Sequence, residues 1–264
     1  MESVLQNFAV AQVYTFMLVF CRIGTAMMIM PGVGDGFVPE RIRLFFALAF
    51  AAVCTPIVAG QLPEFTSAGP AFLTLLAGEV MMGLFIGGIA RIFMAALDTA
   101  GMLASMHIGL ANAQIFNPAF ATQGSVMGAF LSITGALLLF ATNLHHLLFG
   151  ALIDSYRTFP PGLMGIAFAG DMADAITTAV GNAFAVGFHF AMPFMIVTTM
   201  VYVAMGILTR MMPQLQIFAV AMPLQIMVGF LVFVLVASAG FLYWMGAYSD
   251  AVRTFLLPSD AGGI

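Results

Sequence analysis

The sequence predicts an all-α, polytopic membrane-type protein with kinked helical hairpins. Of its 264 residues, 62% are hydrophobic and only 7% are charged, whereas soluble globular domains carry about 25% charged residues. Several uncharged stretches reach the roughly 20 apolar residues that a membrane-spanning helix needs. Basic charge comes from seven scattered arginines without any lysine, which excludes a nucleic-acid-binding surface.

Gaps between charges and turn-forming residues divide the chain into a series of predicted helices. They are expected near residues 5–30, 43–59, 71–97, 98–114, 126–152, 173–209 and 216–248. The dipeptide Asn117-Pro118 predicts a turn, because the residue before a proline avoids the helical conformation. The last two helices are longer than one straight span. Pro193 and Pro223 predict a bend or a break in them, because proline removes a backbone hydrogen bond.

Four charged side chains fall within or beside apolar segments, where a central arginine costs about 2.5–3.5 kcal/mol. They are Arg22, Glu79, Arg91 and Asp98. Structural ion pairs are the favoured interpretation: Glu79 with an arginine of another segment, and Arg91 and Asp98 on one helix face if their helix continues. A proton or ion relay and snorkelling at an interface are the alternatives.

Glycine spacing predicts close contact between helices. The pairs Gly83/Gly87 and Gly124/Gly128 lie four residues apart, and small residues at this spacing let helix backbones approach where lipid supplies no hydrophobic driving force. We therefore expect these helices to pack tightly against protein.

Four motifs of catalysis or cofactor binding do not occur in the sequence: the nucleophile elbow, HExxH, the P-loop and the dinucleotide-binding pattern. His145 and His146 would point about 100° apart on a helix, so the two do not easily bind one metal ion. Cys21 and Cys54 fit small buried apolar side chains. We expect no enzymatic activity, no cofactor and no metal.

Several motifs follow one another in a fixed order along the chain. They are Pro39-Glu40-Arg41-Ile42-Arg43, Asn117-Pro118, Asn143-Leu144-His145-His146, residues 154–162, and Arg210-Met211-Met212-Pro213-Gln214 ahead of Pro223. Their order and spacing, over about residues 8–250, resemble the FliR family, whose members are subunits of flagellar type III export gates.

The resemblance implies an architecture, a location and a set of partners. A FliP-like part (about 1–165) is expected to precede a FliQ-like hairpin (about 166–250) and a polar tail (251–264). FliR-type subunits form a helical ring with FliP- and FliQ-type subunits, beside FlhB- and FlhA-type proteins. The implied location is the flagellar basal body in the bacterial inner membrane, where the ring is the pore for unfolded flagellar proteins.

The resemblance also implies roles for individual residues. The loop near 110–122 is expected to project into the pore as a plug, with an ordinary turn as the alternative. Its candidate gate residues are Asn112, Ile115, Phe116, Asn117, Pro118 and Phe120. Candidate structural or assembly residues are Arg210, Pro213, Gln214, Pro193, Pro223, Arg91, Asp98 and Glu79.

The competing functions are the virulence-secretion counterpart of the same subunit, a secondary transporter and an intramembrane enzyme.

Overall fold

The computed structural model describes residues 2–63, 69–110, 125–162, 166–212 and 217–257. All regular structure across these ranges is helical, so the predicted all-α fold is confirmed. The α-helices are α1 (Glu2–Ile29), α2 (Glu40–Val58), α3 (Gly69–Ile108), α4 (Val126–Ala141), α5 (Leu144–Thr158), α6 (Ile166–Met211) and α7 (Ile217–Leu256). A 3-10 turn, Ala59–Gln61, extends α2.

Most of these helices are suited to a membrane. Within the described ranges, five are long and apolar enough to cross one, namely α1, α2, α3, α6 and α7. The consecutive helices α4 and α5 are bent by 74° at the break between them, the geometry of a broken span or of a re-entrant loop. The chain is therefore a polytopic membrane protein, as its composition predicts.

Helix ends follow the local chemistry of the chain. Helix α3 ends at Gly109, whose φ of +86° lies in the left-handed region that glycine enters without steric cost. Helix α2 begins after Pro39 and carries Glu40 in its first turn, where a carboxylate interacts favourably with the helix dipole. Helix α5 ends ahead of Pro160, because the preceding residue, Phe159, must leave the helical conformation.

The structure divides two parts of the chain into helices differently from the prediction. Two helices are expected at 71–97 and 98–114, but residues 69–108 form one continuous helix, α3. Neither a proline nor a left-handed residue interrupts it near Asp98. The helix expected at 126–152 is divided into α4 and α5, because Asn143 adopts a left-handed φ of 59°.

The two prolines near the middle of the C-terminal half lie inside continuous helices. Pro193 is within α6 and Pro223 is within α7, so the predicted break is wrong and the predicted bend stays a prediction. Helix α6 has 46 residues and is about 69 Å long at 1.5 Å per residue. The hydrocarbon core of a bilayer is about 30 Å thick, so α6 exceeds one straight span, as expected.

The chain forms two compact units. The first comprises Met1–Ile92, Leu139–Val180 and Tyr248–Ile264, and the second comprises Phe93–Leu138 and Gly181–Ala247. Helices α3, α4, α6 and α7 each contribute a segment to both units. Fully buried side chains form the core of each unit: Leu18, Ile23, Ile86 and Tyr156 in the first, and Leu97, Phe194 and Trp244 in the second.

Helices α1 and α3 approach each other so closely that glycine is required at the contact. A Cβ atom added at Gly83 would overlap the carbonyl oxygen of Arg22, and one added at Gly87 would lie 2.7 Å from the carbonyl oxygen of Ala26. The tight packing predicted from the Gly83/Gly87 spacing is therefore confirmed. Gly124 lies outside the described residues.

Replacing Gly87 by alanine tests this contact. The added methyl group must displace the α1 backbone, and overpacking of this kind costs about 1–3 kcal/mol. We expect the full-length protein in detergent to lose its monodisperse size-exclusion peak at a lower temperature than the parent.

Gly88→Ala is the matched control, because a Cβ atom at Gly88 meets nothing within 4 Å. Both substitutions bring the same gain in helix propensity, about 1 kcal/mol. Equal thermal stability of the Gly87 and Gly88 variants would show that the two backbones are not in contact.

Candidate functional site

A buried cluster of charged and polar groups surrounds Arg22 in the first unit. The guanidinium donates from Nε to Glu79 Oε2 at 2.7 Å and from Nη2 to Glu79 Oε1 at 2.9 Å. Nη1 donates to Ser155 Oγ at 3.2 Å, and Nη2 also donates to the carbonyl oxygen of Phe159 at 3.0 Å. The Arg22 Cζ lies 4.1 Å from the centroid of the Tyr156 ring. All three nitrogens of the guanidinium are therefore engaged.

Burial makes this cluster a structural ion pair. Arg22 is 0% exposed and Glu79 is 1% exposed. Withdrawing two charges from water costs several kcal/mol per ion, and their attraction offsets this only with good geometry and further hydrogen bonds. The two-pronged contact between guanidinium and carboxylate, together with the Ser155 and Phe159 contacts, meets that condition. The contacts thus favour the ion-pair interpretation of Glu79 over an ion relay.

The cluster joins three helices of the first unit. Arg22 lies on α1, Glu79 on α3 and Ser155 on α5, and Phe159 directly follows α5. Tyr156 adds a second link, because its hydroxyl donates to the carbonyl oxygen of Val19 on α1 at 3.4 Å. Sequence reasoning missed both α5 residues, since a serine and a tyrosine in an amphipathic helix carry no signal of a buried charge.

Arg91 has its partner on the loop that connects α1 to α2. Its Nη1 forms an ion pair with Asp35, and the other oxygen of that carboxylate accepts a hydrogen bond from the Gly32 amide at 2.7 Å. Arg43 donates to the carbonyl oxygen of Gly34 at 3.0 Å. The side chain of Arg91 is 48% exposed, and exposed pairs typically contribute about 0–1 kcal/mol. The ion pair of Arg91 with Asp35 thus links this loop to α3.

Asp98 lies in the second unit, where α3 packs against α4. Its carboxylate accepts a hydrogen bond from the hydroxyl of Ser132. A Cβ atom added at Gly101 would overlap the backbone of Gly128, so the two helix backbones touch. Ser125 completes this contact: its hydroxyl donates to the carbonyl oxygen of Gly101 at 3.1 Å and accepts from the Gly128 amide at 3.1 Å.

The remaining predicted site residues are dispersed. Arg210 is exposed in the last turn of α6, Pro193 is half-buried in α6, and Pro223 is exposed on α7. Several predicted residues lie outside the described residues: Pro213, Gln214 and the candidate gate residues Asn112, Ile115, Phe116, Asn117, Pro118 and Phe120.

An apolar cavity of about 200 Å³ lies in the second unit. Its described lining consists of Leu110, Val126, Met127, Phe130, Phe230 and Phe233. This described lining offers water almost no polar partner. Two of the lining residues, Leu110 and Val126, stand close to the two ends of residues 111–124 in the sequence.

The apolar side chains of α6 and α7 remain largely exposed. On α6 they recur every three or four residues: Ile176, Val180, Phe184, Phe188, Met192, Ile196, Met200, Val203, Ile207 and Met211. Measured along the helix at 1.5 Å per residue, this stripe is about 53 Å long, whereas the hydrocarbon core of a bilayer is about 30 Å thick.

These features define an α-helical polytopic membrane protein whose longest helices present more apolar surface than a bilayer covers. A family model described as bacterial export proteins, family 1, matches residues 13–251. The flagellar biosynthetic protein FliR of Caulobacter vibrioides is 36% identical over 244 residues, covering 92% of this chain and 96% of that protein. The chain belongs to this family of bacterial export proteins, the FliR family.

Two other relatives are also similar to this chain over most of their length. The flagellar biosynthetic protein FliR of Bacillus subtilis is 27% identical over 240 residues, which is 90% of this chain and 92% of that protein. The Yop proteins translocation protein T of Yersinia pestis is 26% identical over 219 residues, which is 83% of this chain and 81% of that protein. The similarity thus covers almost the whole chain, both compact units included.

Replacing Glu79 by glutamine tests the buried ion pair. The substitution leaves the Arg22 cation buried without a counter-charge, and breaking a buried pair in this way costs about 3–5 kcal/mol. We expect a strongly reduced membrane level and a lower thermal midpoint in detergent.

Glu40→Gln is the matched control, because Glu40 is exposed in the first turn of α2. A double variant, Arg22→Met with Glu79→Met, removes both charges and is expected to recover much of the lost stability. If Glu79→Gln is as stable as Glu40→Gln, the ion pair does not hold the first unit together.

Proposed function

We propose that this chain is a core subunit of the flagellar type III protein export gate. In this proposal it forms, with FliP- and FliQ-type subunits, the pore through which unfolded flagellar proteins leave the cytoplasm. The observation that carries the proposal is the apolar stripe on α6, which is longer than a bilayer is thick. Apolar surface beyond the lipid must be covered by other protein, and large exposed apolar patches mark interaction sites.

The composition of the exposed α6 surface supports protein partners over lipid. Asn182 and His189 are exposed on this apolar helix, and polar groups at membrane depth normally face a bundle interior or a wet cavity. Gly181 and Ala185 are exposed nearby, and small residues allow neighbouring helices to approach closely. Subunit helices therefore suit this surface better than acyl chains do.

The gating step belongs to the same proposal. In it, the loop near 110–122 acts as a plug, with Ile115, Phe116 and Phe120 as an apolar gate that excludes water and ions. An entering substrate displaces the plug, and the driving energy comes from other components of the apparatus. The apolar cavity supports this assignment, because Leu110 and Val126, which stand close to the two ends of the segment in the sequence, both line it.

In this proposal the gate subunit lies in the bacterial inner membrane, within the flagellar basal body and next to FlhB- and FlhA-type proteins. A virulence-secretion counterpart is the second candidate, favoured by the likeness to the Yop proteins translocation protein T. The greater identity and coverage of the Caulobacter protein favour the flagellar role. Loss of motility in a deletion strain, restored by the intact gene, separates the two.

Deleting residues 111–120 tests the plug. The assembled pore is expected to conduct small ions without this segment, because the apolar gate that excludes water and ions belongs to it. The measurement is membrane conductance in vesicles that contain the assembled gate, compared with the parent. A glycine-serine segment of the same length serves as a second variant that keeps the chain connection. Unchanged conductance in both variants would contradict the plug.

Replacing Arg210 by alanine tests the subunit contact. Arg210 is an exposed cation in the last turn of α6, among exposed apolar side chains, where a partner carboxylate would neutralise it. We expect several-fold less FliP-type partner to co-purify with the variant.

Arg157→Ala is the matched control, since Arg157 is also an exposed cation in the last turn of a helix, α5. Both substitutions remove the same favourable interaction with a helix dipole. Equal recovery of the partner with the two variants would exclude Arg210 from the contact.

A further inference from the structure

Asp98 carries a charge that the chain itself does not neutralise. Asp98 and Arg210 are the two residues of the second unit that carry a full charge at neutral pH. One oxygen of the Asp98 carboxylate accepts a hydrogen bond from Ser132. Among the residues that the structure describes, no arginine forms an ion pair with Asp98. A hydroxyl supplies a hydrogen bond but no opposite charge, so Asp98 stays costly to remove from water.

Side-chain and backbone contacts fix the register of α6 against α3. A Cβ atom added at Gly187 would lie 2.7 Å from the carbonyl oxygen of Ala96. Thr198 donates to the carbonyl oxygen of His107 at 3.1 Å, and the amide nitrogen of Gln225 on α7 donates to the same oxygen. The contacts at Gly187 and Thr198 are eleven residues apart on both helices. The two helices therefore lie side by side and run in the same direction.

In this register the arginines of α3 and α6 do not reach Asp98. Along the shared direction of the two helices, Arg210 lies 21 residues beyond the level of Asp98, which is about 30 Å. Arg91 lies about 10 Å from Asp98 along α3, and it is paired with Asp35. Both separations exceed the roughly 4 Å of an ion pair. A counter-charge for Asp98 therefore has to come from a neighbouring molecule.

The face of α3 that carries Asp98 is the floor of an apolar groove. Helix α4 touches α3 at Leu97 and Gly101, and α6 touches it at Ala96 and Ala100. At 100° per residue, an exposed stripe of α3 lies between these two lines of contact. Its members are Ala95, Asp98, Met102 and Met106. The stripe is thus flanked by a helix on each side, with the carboxylate among apolar side chains.

A helix that carries a basic side chain fits this groove better than lipid or water does. Acyl chains offer a carboxylate neither a hydrogen bond nor a charge, and a charged group in hydrocarbon is costly. Open water would solvate Asp98 but leave Ala95, Met102 and Met106 exposed. An apolar helix with one arginine or lysine covers the apolar side chains and neutralises the carboxylate. Arginine can also bind a carboxylate through two hydrogen bonds at once.

We propose that the stripe of Ala95, Asp98, Met102 and Met106 is a docking surface for an apolar helix of a sibling subunit, whose basic side chain pairs with Asp98. The inference rests on the proposed function, and it adds a second subunit contact to the apolar stripe on α6. It also specifies the chemistry of the partner, which is an arginine or a lysine within an apolar helix. A subunit without such a residue does not occupy this face.

Asp98→Asn tests the charge pair in the full-length chain, co-expressed and purified with FliP- and FliQ-type subunits. Asparagine keeps an oxygen that accepts from Ser132, so the contact between α3 and α4 stays and only the charge is lost. The cation of the partner then has no counter-charge, and the recovered amount of that subunit is expected to fall about tenfold. Asp174→Asn is the matched control, because Asp174 is exposed on α6 beyond its first turn.

Ser132→Ala separates docking from internal structure. It removes the hydrogen bond to Asp98 and keeps the carboxylate, so recovery of the subunit is expected to match the parent. Equal recovery with Asp98→Asn and Asp174→Asn overturns the docking surface, while co-purification with the parent still supports the proposed function. A loss with Ser132→Ala as large as that with Asp98→Asn also overturns it, because Asp98 then acts through α4. A parent chain that co-purifies with neither subunit contradicts the proposed function itself, and with it the partner named here.

The cation of the partner is identified by removing both charges. Each arginine or lysine in the apolar segments of the sibling subunit is replaced by methionine and combined with Asp98→Met. Removing both members of a buried pair costs far less than removing one, so one combination is expected to recover most of the lost subunit. Recovery with none of them overturns the pairing. A photo-cross-linking residue, p-benzoylphenylalanine, in place of Met102 is expected to label the same helix, whereas adducts with lipid alone overturn the docking surface.

Discussion

A polar group that leaves water for an apolar bundle must find its partners inside the protein, and this requirement shapes each unit of the chain. In the first unit the Arg22 guanidinium donates hydrogen bonds to acceptors on α3, on α5 and on the residue after α5. In the second unit the His107 carbonyl receives donors from α6 and α7. Hydrogen bonds are directional, so each set fixes three helices at once. Lipid-like surroundings supply no hydrophobic drive between helices, which leaves these bonds and close packing to determine their arrangement.

Close packing and the buried ion pair depend on each other. Glu79 and Gly83 are four residues apart on α3 and therefore face the same way, toward Arg22. The missing side chain at Gly83 leaves room for the carbonyl oxygen of Arg22, while the carboxylate of Glu79 binds its guanidinium. A larger residue at position 83 would push α1 outward and lengthen the 2.7 Å contact between Arg22 Nε and Glu79 Oε2. The glycine is thus part of what makes the buried charge tolerable.

The sequence predicts the kinds of interaction better than the partners. Composition is enough for the all-α membrane fold, and the cost of a buried charge shows that Glu79 needs a cation. Its partner Arg22 lies 57 residues away, a distance that only tertiary packing closes. Helix periodicity puts Arg91 on one face with Asp98, yet its partner Asp35 lies on a loop that periodicity does not describe. The sequence does not predict the break at Asn143. Asparagine enters the left-handed region more readily than most residues, but it interrupts a helix far less often than proline does.

The polar and apolar requirements of this chain are met in different ways. The buried charge of Arg22 and the His107 carbonyl find partners within the chain itself, whereas much of the apolar surface of α6 and α7 finds none among the described residues. Directional bonds need atoms at defined positions, so they suit a subunit that takes its shape before it assembles. Burial of apolar area is non-directional. An exposed apolar stripe therefore accepts any helix of matching shape, and that helix can shift along the stripe without losing a directional bond. A chain built in this way keeps its internal geometry whichever neighbours cover its exposed stripe.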